Sequence, residues 1–143
     1  MSDIRTRLTA LGFSCRGRIA STDNGRNCCV EIDDLSGFIL YAHIVGDAIM
    51  KVGTTTPNLK GRVSQNASTI RQIIALKEGR ARDARWHHRP FDAFKKMAPG
   101  VIQSNKDIEI WALVSTEVEY KLLEQQYNAA FNTMDGGWAM QLG

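Results

Sequence analysis

The stretch from Gly37 to Val52 constrains this chain more than any other. Gly37 to Val45 (GFILYAHIV) is rich in strand-forming residues, and Ala48 to Val52 (AIMKV) is a second, shorter run. Gly46-Asp47 between them is a turn signal, so the whole reads as a β-hairpin. Thr54-Thr55-Thr56-Pro57 then supplies a helix start, with Thr56 as N-cap and Pro57 in the first helical position. That helix is expected to run to about Gln65 or beyond.

Helical spacing of Ile4, Leu8 and Leu11 predicts a helix over 3–11, ended by Gly12. Residues 21–27 read as a turn and Cys28 to Ile32 as a short strand. Ser68 to Ala81 has a helical pattern, and FDAFKKM after Pro90 reads as a short helix ended by Pro99-Gly100. Asp107 to Val114 (DIEIWALV) alternates as a strand, and Ser115-Thr116 starts a last helix to about Ala130. Trp138 falls in an extended or docking segment. Helices and strands mix without strict βαβ alternation, so the expected class is α+β: a small three-stranded antiparallel or mixed sheet flanked by helices.

At 143 residues, with 43% hydrophobic and 23% charged side chains, one folded domain over 1–143 is expected. It divides into an N-terminal helix-strand extension (1–36), the hairpin and its helix (37–66), a basic helical insertion (67–106) and the third strand, last helix and tail (107–143). No apolar run is long enough to span a bilayer and the N-terminus has no signal-peptide core, so the expected place is the cytoplasm. Three cysteines, with Cys28 and Cys29 adjacent, lack the paired spacing of a zinc site or a disulfide framework. Net charge is +3, but from Lys60 to Lys96 ten Lys/Arg stand against three acids. That local +7 on a body of −4 suggests either a polyanion-facing surface or a solvated helix face.

Four polar groups are spaced for phosphodiester hydrolysis. The hairpin brings Tyr41 near Lys51. Arg62 follows one turn into the next helix, and Glu119 opens the last one. The reaction needs an activated water, charge neutralisation on phosphate and help for the leaving oxygen. A phenol near a cation can act as base, an Arg can grip phosphate in a fork, and a carboxylate can hold Mg2+. His43 shares the strand face of Tyr41 and could aid proton transfer or touch phosphate. Lys60 and the RWHHR stretch (His87, His88, Arg89) suit phosphate contact. Each has a plain structural reading too. Thr116-Glu117-Val118-Glu119 fits a capping box, which leaves Glu117 and Glu124 as substitute carboxylates.

The set resembles the GIY-YIG nuclease superfamily. Ile39-Leu40-Tyr41 looks like the first motif, and Lys51-Val52-Gly53 looks like the second at the family's spacing. Arg62 in NLKGRVSQ matches the family arginine. Glu119 in TEVEYKLLEQQYNAAFN matches its metal-binding glutamate, and Asn132 its later asparagine. Leu40 and Lys51 depart from the motif letters; lysine in that place occurs in some members, restriction enzymes included. The resemblance covers about residues 37–132. It implies an endonuclease in which Tyr41 is the general base, Lys51 favours its phenolate and Arg62 stabilises the transition state. Glu119 would hold one Mg2+ or Mn2+, Asn132 would touch substrate, and Gly53 would permit close approach. It implies DNA as partner and a restriction-type, phage or mobile-element setting; a double-strand cut would favour a homodimer. The runner-up is a catalytically inert nucleic-acid-binding module on the same fold, and a third reading is a protein–protein adaptor.

Overall fold

The computed structural model describes residues 3–80, 93–133 and 137–138. Its helices are α1 (Ile4–Ala10), α2 (Leu59–Lys77), α3 (Ala93–Gln103) and α4 (Tyr120–Ala130). Its strands are β1 (Ser14–Thr22), β2 (Asn27–Ile32), β3 (Ile39–Val45), β4 (Ala48–Thr55) and β5 (Ile108–Val114). They form one five-stranded sheet in the order β2-β1-β5-β3-β4, and every neighbouring pair is antiparallel. The class is α+β as expected, but the sheet has five strands rather than three. The strand that the sequence did not signal, β1, joins β2 to β5. Its pairing with β5 shifts between Cys15 and Gly17, so Arg16 is an extra residue. A bulge of this kind breaks the alternation by which a strand is recognised.

The sheet is covered on both faces. Ile19, Ile39, Tyr41, Ile108, Ile110 and Ala112 point into one core with α2, α3 and Trp138. Leu40, Ala42, Ile44 and Val52 point into a second core, with Ile4, Leu8 and Phe13 buried there and α4 residues Tyr120, Leu123 and Tyr127 packed against it. This explains why β3, the strand held between β4 and β5, is buried along almost its whole length and is apolar at every position but His43 and the Tyr41 hydroxyl, because both of its faces are covered.

Local chemistry sets the helix ends. Asp3 caps α1 by accepting from Arg5 and Thr6 backbone N–H groups, and Gly12 leaves the helix at φ 98°. Arg5 then ties α1 to Glu109 at 2.9 Å and to Asp47 at 3.2 Å. α2 is capped by Asn58, not Thr56; the Asn58 side chain accepts from Gly61 N at 2.8 Å. Asp34 Oδ1 accepts from Lys60 N at 2.9 Å and adds a second partner for the free donors of the first turn. The two helices expected from 57 to 81 are one, because Leu59, Val63, Ala67, Ile70 and Ile74 make a continuous buried stripe. Pro99 does not end α3 but lies inside it. An interior proline costs about 3 kcal/mol. Burial of Phe94, Ala98, Pro99 and Ile102 offsets that cost, at roughly 1.5–3 kcal/mol for each large apolar side chain.

Two contacts finish the β4 edge. The β3–β4 register pairs His43 with Lys51 but Ile44 with Ile49, which leaves Met50 bulged. The Met50 carbonyl accepts from Trp138 N at 2.6 Å, and the Trp138 ring is fully buried. Farther along, the Asn128 amide pairs with the outer edge of β4 as a strand would. Its Oδ1 accepts from Val52 N at 2.9 Å and its Nδ2 donates to Val52 O at 2.8 Å. The same group donates to Glu124 O at 2.9 Å and accepts from Thr133 Oγ1 at 2.5 Å, so all four of its hydrogen-bonding positions are used.

Removing that amide orphans the Val52 N–H and C=O under α4. Asn128→Ala is expected to lower stability by about 2–4 kcal/mol, read as a fall in the urea midpoint, since each buried unpaired group costs about 1–3 kcal/mol. Asn132→Gly is expected to be neutral or slightly stabilising, because Asn132 sits exposed at φ 54°.

Candidate active site

The hairpin register creates the floor of the site. Tyr41 lies opposite Gly53 and His43 opposite Lys51. Side chains two apart on a strand share a face, so all four belong to the α2 side of the sheet. Gly53 has a specific reason to be glycine. A Cβ there would stand 2.7 Å from both Cζ and Oη of Tyr41. The phenol therefore lies across the bare backbone of β4. What approaches Gly53 closely is the Tyr41 ring, rather than the substrate as the resemblance implied.

α2 brings the next groups. Arg62 and Asn66 are four residues apart and so neighbour one another on a helix surface. Tyr41 is almost completely buried, and that burial pushes its phenol pKa up. The Asn66 side chain, hydrogen-bonded to it, pulls the other way, as does the charge of Arg62; Glu124 adds to the upward shift. Arg62 itself is exposed and can reach a ligand. The groups that favour the Tyr41 phenolate are thus Asn66 and Arg62, where the sequence reading had given that task to Lys51.

Lys51 instead acts on a carboxylate. Its ammonium, 6.0 Å from the centre of the Phe94 ring, lowers the pKa of Glu124. Glu124 is half-buried, and burial raises its pKa more than Lys51, Thr54 and Lys121 lower it. Thr54 Oγ1 donates to Glu124 Oε2 at 3.4 Å. Glu124 is therefore the α4 carboxylate whose charge acts on Tyr41 and on which the charge of Lys51 acts. Glu119 is exposed just before α4. Its backbone N–H donates to Thr116 Oγ1 at 3.2 Å, which is half of a capping box, and its side chain makes no cap bond. Asn132 is likewise exposed at the end of α4, while Asn128, one turn earlier, is the buried asparagine.

His43 cannot touch a substrate, because it is fully buried. Its ring lies 5.3 Å from Tyr41, 5.5 Å from Phe94 and 5.8 Å from Trp138, centre to centre. Its Nε2 is 3.4 Å from Asn66 Nδ2. Burial first, and Lys51 second, push its pKa down to about 3. Nδ1 of His43 and Nε1 of Trp138 have no hydrogen-bond partner among the described residues. Lys60 is exposed in the first turn of α2. His87, His88 and Arg89 lie outside the described residues.

Among the described residues no cluster of three or more His, Cys, Asp or Glu is placed to hold a metal ion. Glu124 with Thr54 beside it offers a carboxylate and a hydroxyl, both hard oxygen donors. That set fits an ion such as Mg2+, which is commonly held by one or two carboxylates, substrate phosphates and water. Sequence reasoning kept Glu124 only as a substitute and did not single out Asn66, Thr54 or Asn128. The signal was there in two four-residue spacings, Arg62 to Asn66 and Glu124 to Asn128.

No model of a known protein family matches the chain, and no curated protein matches it. Solved structures do. A mutant of bacteriophage T4 EndoII superposes with a TM-score of 0.64 at 15% identity, covering 97% of this chain and 100% of that one. The restriction endonuclease HPY188I, in complex with product DNA, gives 0.51 at 10% identity, covering 92% of this chain and 82% of that one. At such identities the likeness is one of fold.

The buried His43 has a measurable consequence. Its pKa falls from 6.5 to about 3 on folding. Between those values the unfolded chain binds the extra proton, so this contribution to stability is full above pH 6.5 and is lost as the pH falls towards 3. Urea midpoints of wild type and His43→Phe measured across that window are expected to show the shallower pH dependence in the variant, which gains on wild type as the pH falls.

Proposed function

We propose that the chain is a metal-dependent endonuclease of the GIY-YIG type, hydrolysing phosphodiester bonds in DNA. The observation that carries this reading is the convergence of Tyr41, Arg62 and Glu124 from β3, α2 and α4. The shared fold with two endonucleases supports it, one of them described with product DNA.

Each residue takes a part that its surroundings suit. Tyr41 receives the proton of the attacking water. In the free protein burial keeps the phenol protonated, so the base forms only where donors and positive charge gather around its oxygen. Asn66 and Arg62 are two such groups. Arg62, exposed beside the phenol, binds the phosphate and stabilises its growing charge. Glu124 would hold the divalent ion, and Lys51 helps to keep that carboxylate ionised. Bound there, such an ion supplies positive charge to the phosphate and its leaving oxygen. Gly53 leaves the Tyr41 ring its place. The basic stretch from Lys60 to Lys96 would meet the DNA backbone, and a double-strand cut would pair two copies of the chain.

Plasmid cleavage with Mg2+ or Mn2+, beside an EDTA control, tests the reading. Wild type is expected to nick or cut. Tyr41→Phe, Arg62→Ala and Glu124→Gln are each expected to lower the rate by about 10²-fold or more. Glu119→Ala should leave it unchanged, which separates the two carboxylates. Gly53→Ala should also fail, because its methyl displaces the phenol. An inert wild type that still binds DNA with strong salt dependence would overturn the enzyme and favour a binding module.

A further inference from the structure

The chemistry proposed above leaves His43 without a part. A phenylalanine would fill its slot between Phe94 and Trp138 without desolvating two ring nitrogens. Among the described residues Nδ1 has no partner, so the polar contact that this ring makes is the one from Nε2 to Asn66 at 3.4 Å. Asn66 in turn reaches the Tyr41 phenol.

We infer that His43 and Asn66 form an orientation lock, in which the imidazole Nε2 accepts one amide hydrogen of Asn66 and the second is held toward the Tyr41 oxygen. The lock is a positioning device, and its link to catalysis rests on Tyr41 being the base.

The two ends of an asparagine amide are nearly the same size but opposite in hydrogen-bonding character. Turned one way, the carbonyl faces the phenol, accepts its hydrogen and favours the protonated ring. Turned the other way, the NH2 group faces it and favours the phenolate. A neutral imidazole has one acceptor nitrogen. When that nitrogen is Nε2, the amide must present nitrogen to it, and a single NH2 group serves both neighbours. The groups around His43 keep it in that form. Lys51 from β4 is the charge that acts on it, Phe94 from α3 and Trp138 close it apolarly, and Tyr41 lies beside it on β3. Protonation would make Nε2 a donor and turn the amide round. Burial beside Lys51 prevents it at any pH where DNA is stable.

The first readout needs no substrate. In the full chain labelled with 15N-histidine, long-range 15N–1H NMR reports the tautomer of each ring, and loss of a signal in His43→Phe assigns it. Protonated Nδ1 with bare Nε2 is expected. Protonated Nε2 would overturn the lock, since Asn66 would then face His43 with its carbonyl. The second readout is cleavage. Asn66→Leu removes the donor and Asn66→Asp replaces it with an acceptor. Both are expected to lower kcat by about 10–100-fold, the worth of one hydrogen bond to a charged group, with KM within about twofold. Asn66→Asp is also expected to move the His43 proton to Nε2. Variants that lose stability but keep kcat would reduce Asn66 to a packing residue and overturn the inference. Should wild type cleave no DNA, the nuclease reading fails by itself, and the His43 tautomer still decides whether the lock exists.

Discussion

The amide of Asn128 pairs with Val52 across the open edge of β4 and takes the place of a sixth strand. Most of what this chain can do depends on that contact. An edge strand presents unpaired N–H and C=O groups, which proteins must cover or pair. Here a helix covers the edge and one side chain pairs with it, which fixes α4 in both rotation and height. Glu124 is one turn before Asn128, so it comes to rest beside Thr54, two residues along β4 from Val52. A slip of α4 by one residue would rotate the carboxylate about 100° away from the hairpin. The pinned amide and the Glu124 carboxylate lie on consecutive turns of one helical face.

The opposite wall of the site is set by packing. The buried stripe of α2 from Leu59 to Ile74 presses on the sheet and turns Arg62 and Asn66 toward the hairpin. Tyr41 is thus placed between a helix that offers donors and a helix that offers a carboxylate. The pull of these groups is balanced against burial, and burial wins in the free protein. A phenol held this way is poised rather than ionised. Under the proposed function its proton would leave more readily once substrate and positive charge displace water from the mouth of the site.

The parts of this arrangement that depend on local sequence were legible. The hairpin at Gly46-Asp47 put Tyr41 and Lys51 on adjacent strands, and the register confirms the turn. The helix after Pro57 carried Arg62 as the spacing said. The parts that depend on tertiary pairing were hidden. β1 could not be read because Arg16 interrupts its period and because half of its partners lie in β5, almost a hundred residues later. Glu119 drew attention as the carboxylate that opens the helix after the third strand; its capping-box pattern is real for the backbone, but neither signal says which helical face meets the sheet. Asn132 and Asn128 are chemically identical, and only the position of the β4 edge separates the exposed one from the buried one. Gly53 was singled out for a close approach by substrate, whereas the group that lies against it is the Tyr41 phenol, a cross-strand fact.

The two faces of the sheet carry unequal burdens. The α1 and α4 face packs apolar side chains with aromatic pairs such as Phe13 with Tyr127 and Phe38 with Tyr120. The α2 and α3 face buries Tyr41 and His43 among its apolar neighbours and leaves two ring nitrogens unpaired. Buried polar groups without partners cost free energy, so that second face is the less stable way to cover a sheet. Among the described residues the cost falls on His43 and Trp138, whose rings lie 5.8 Å apart, centre to centre. A core built only for stability would place apolar side chains there, as the other face does. His43 shares its strand face with Tyr41 and lies against Asn66, so this departure from ordinary packing borders the residues to which the proposed function assigns the chemistry.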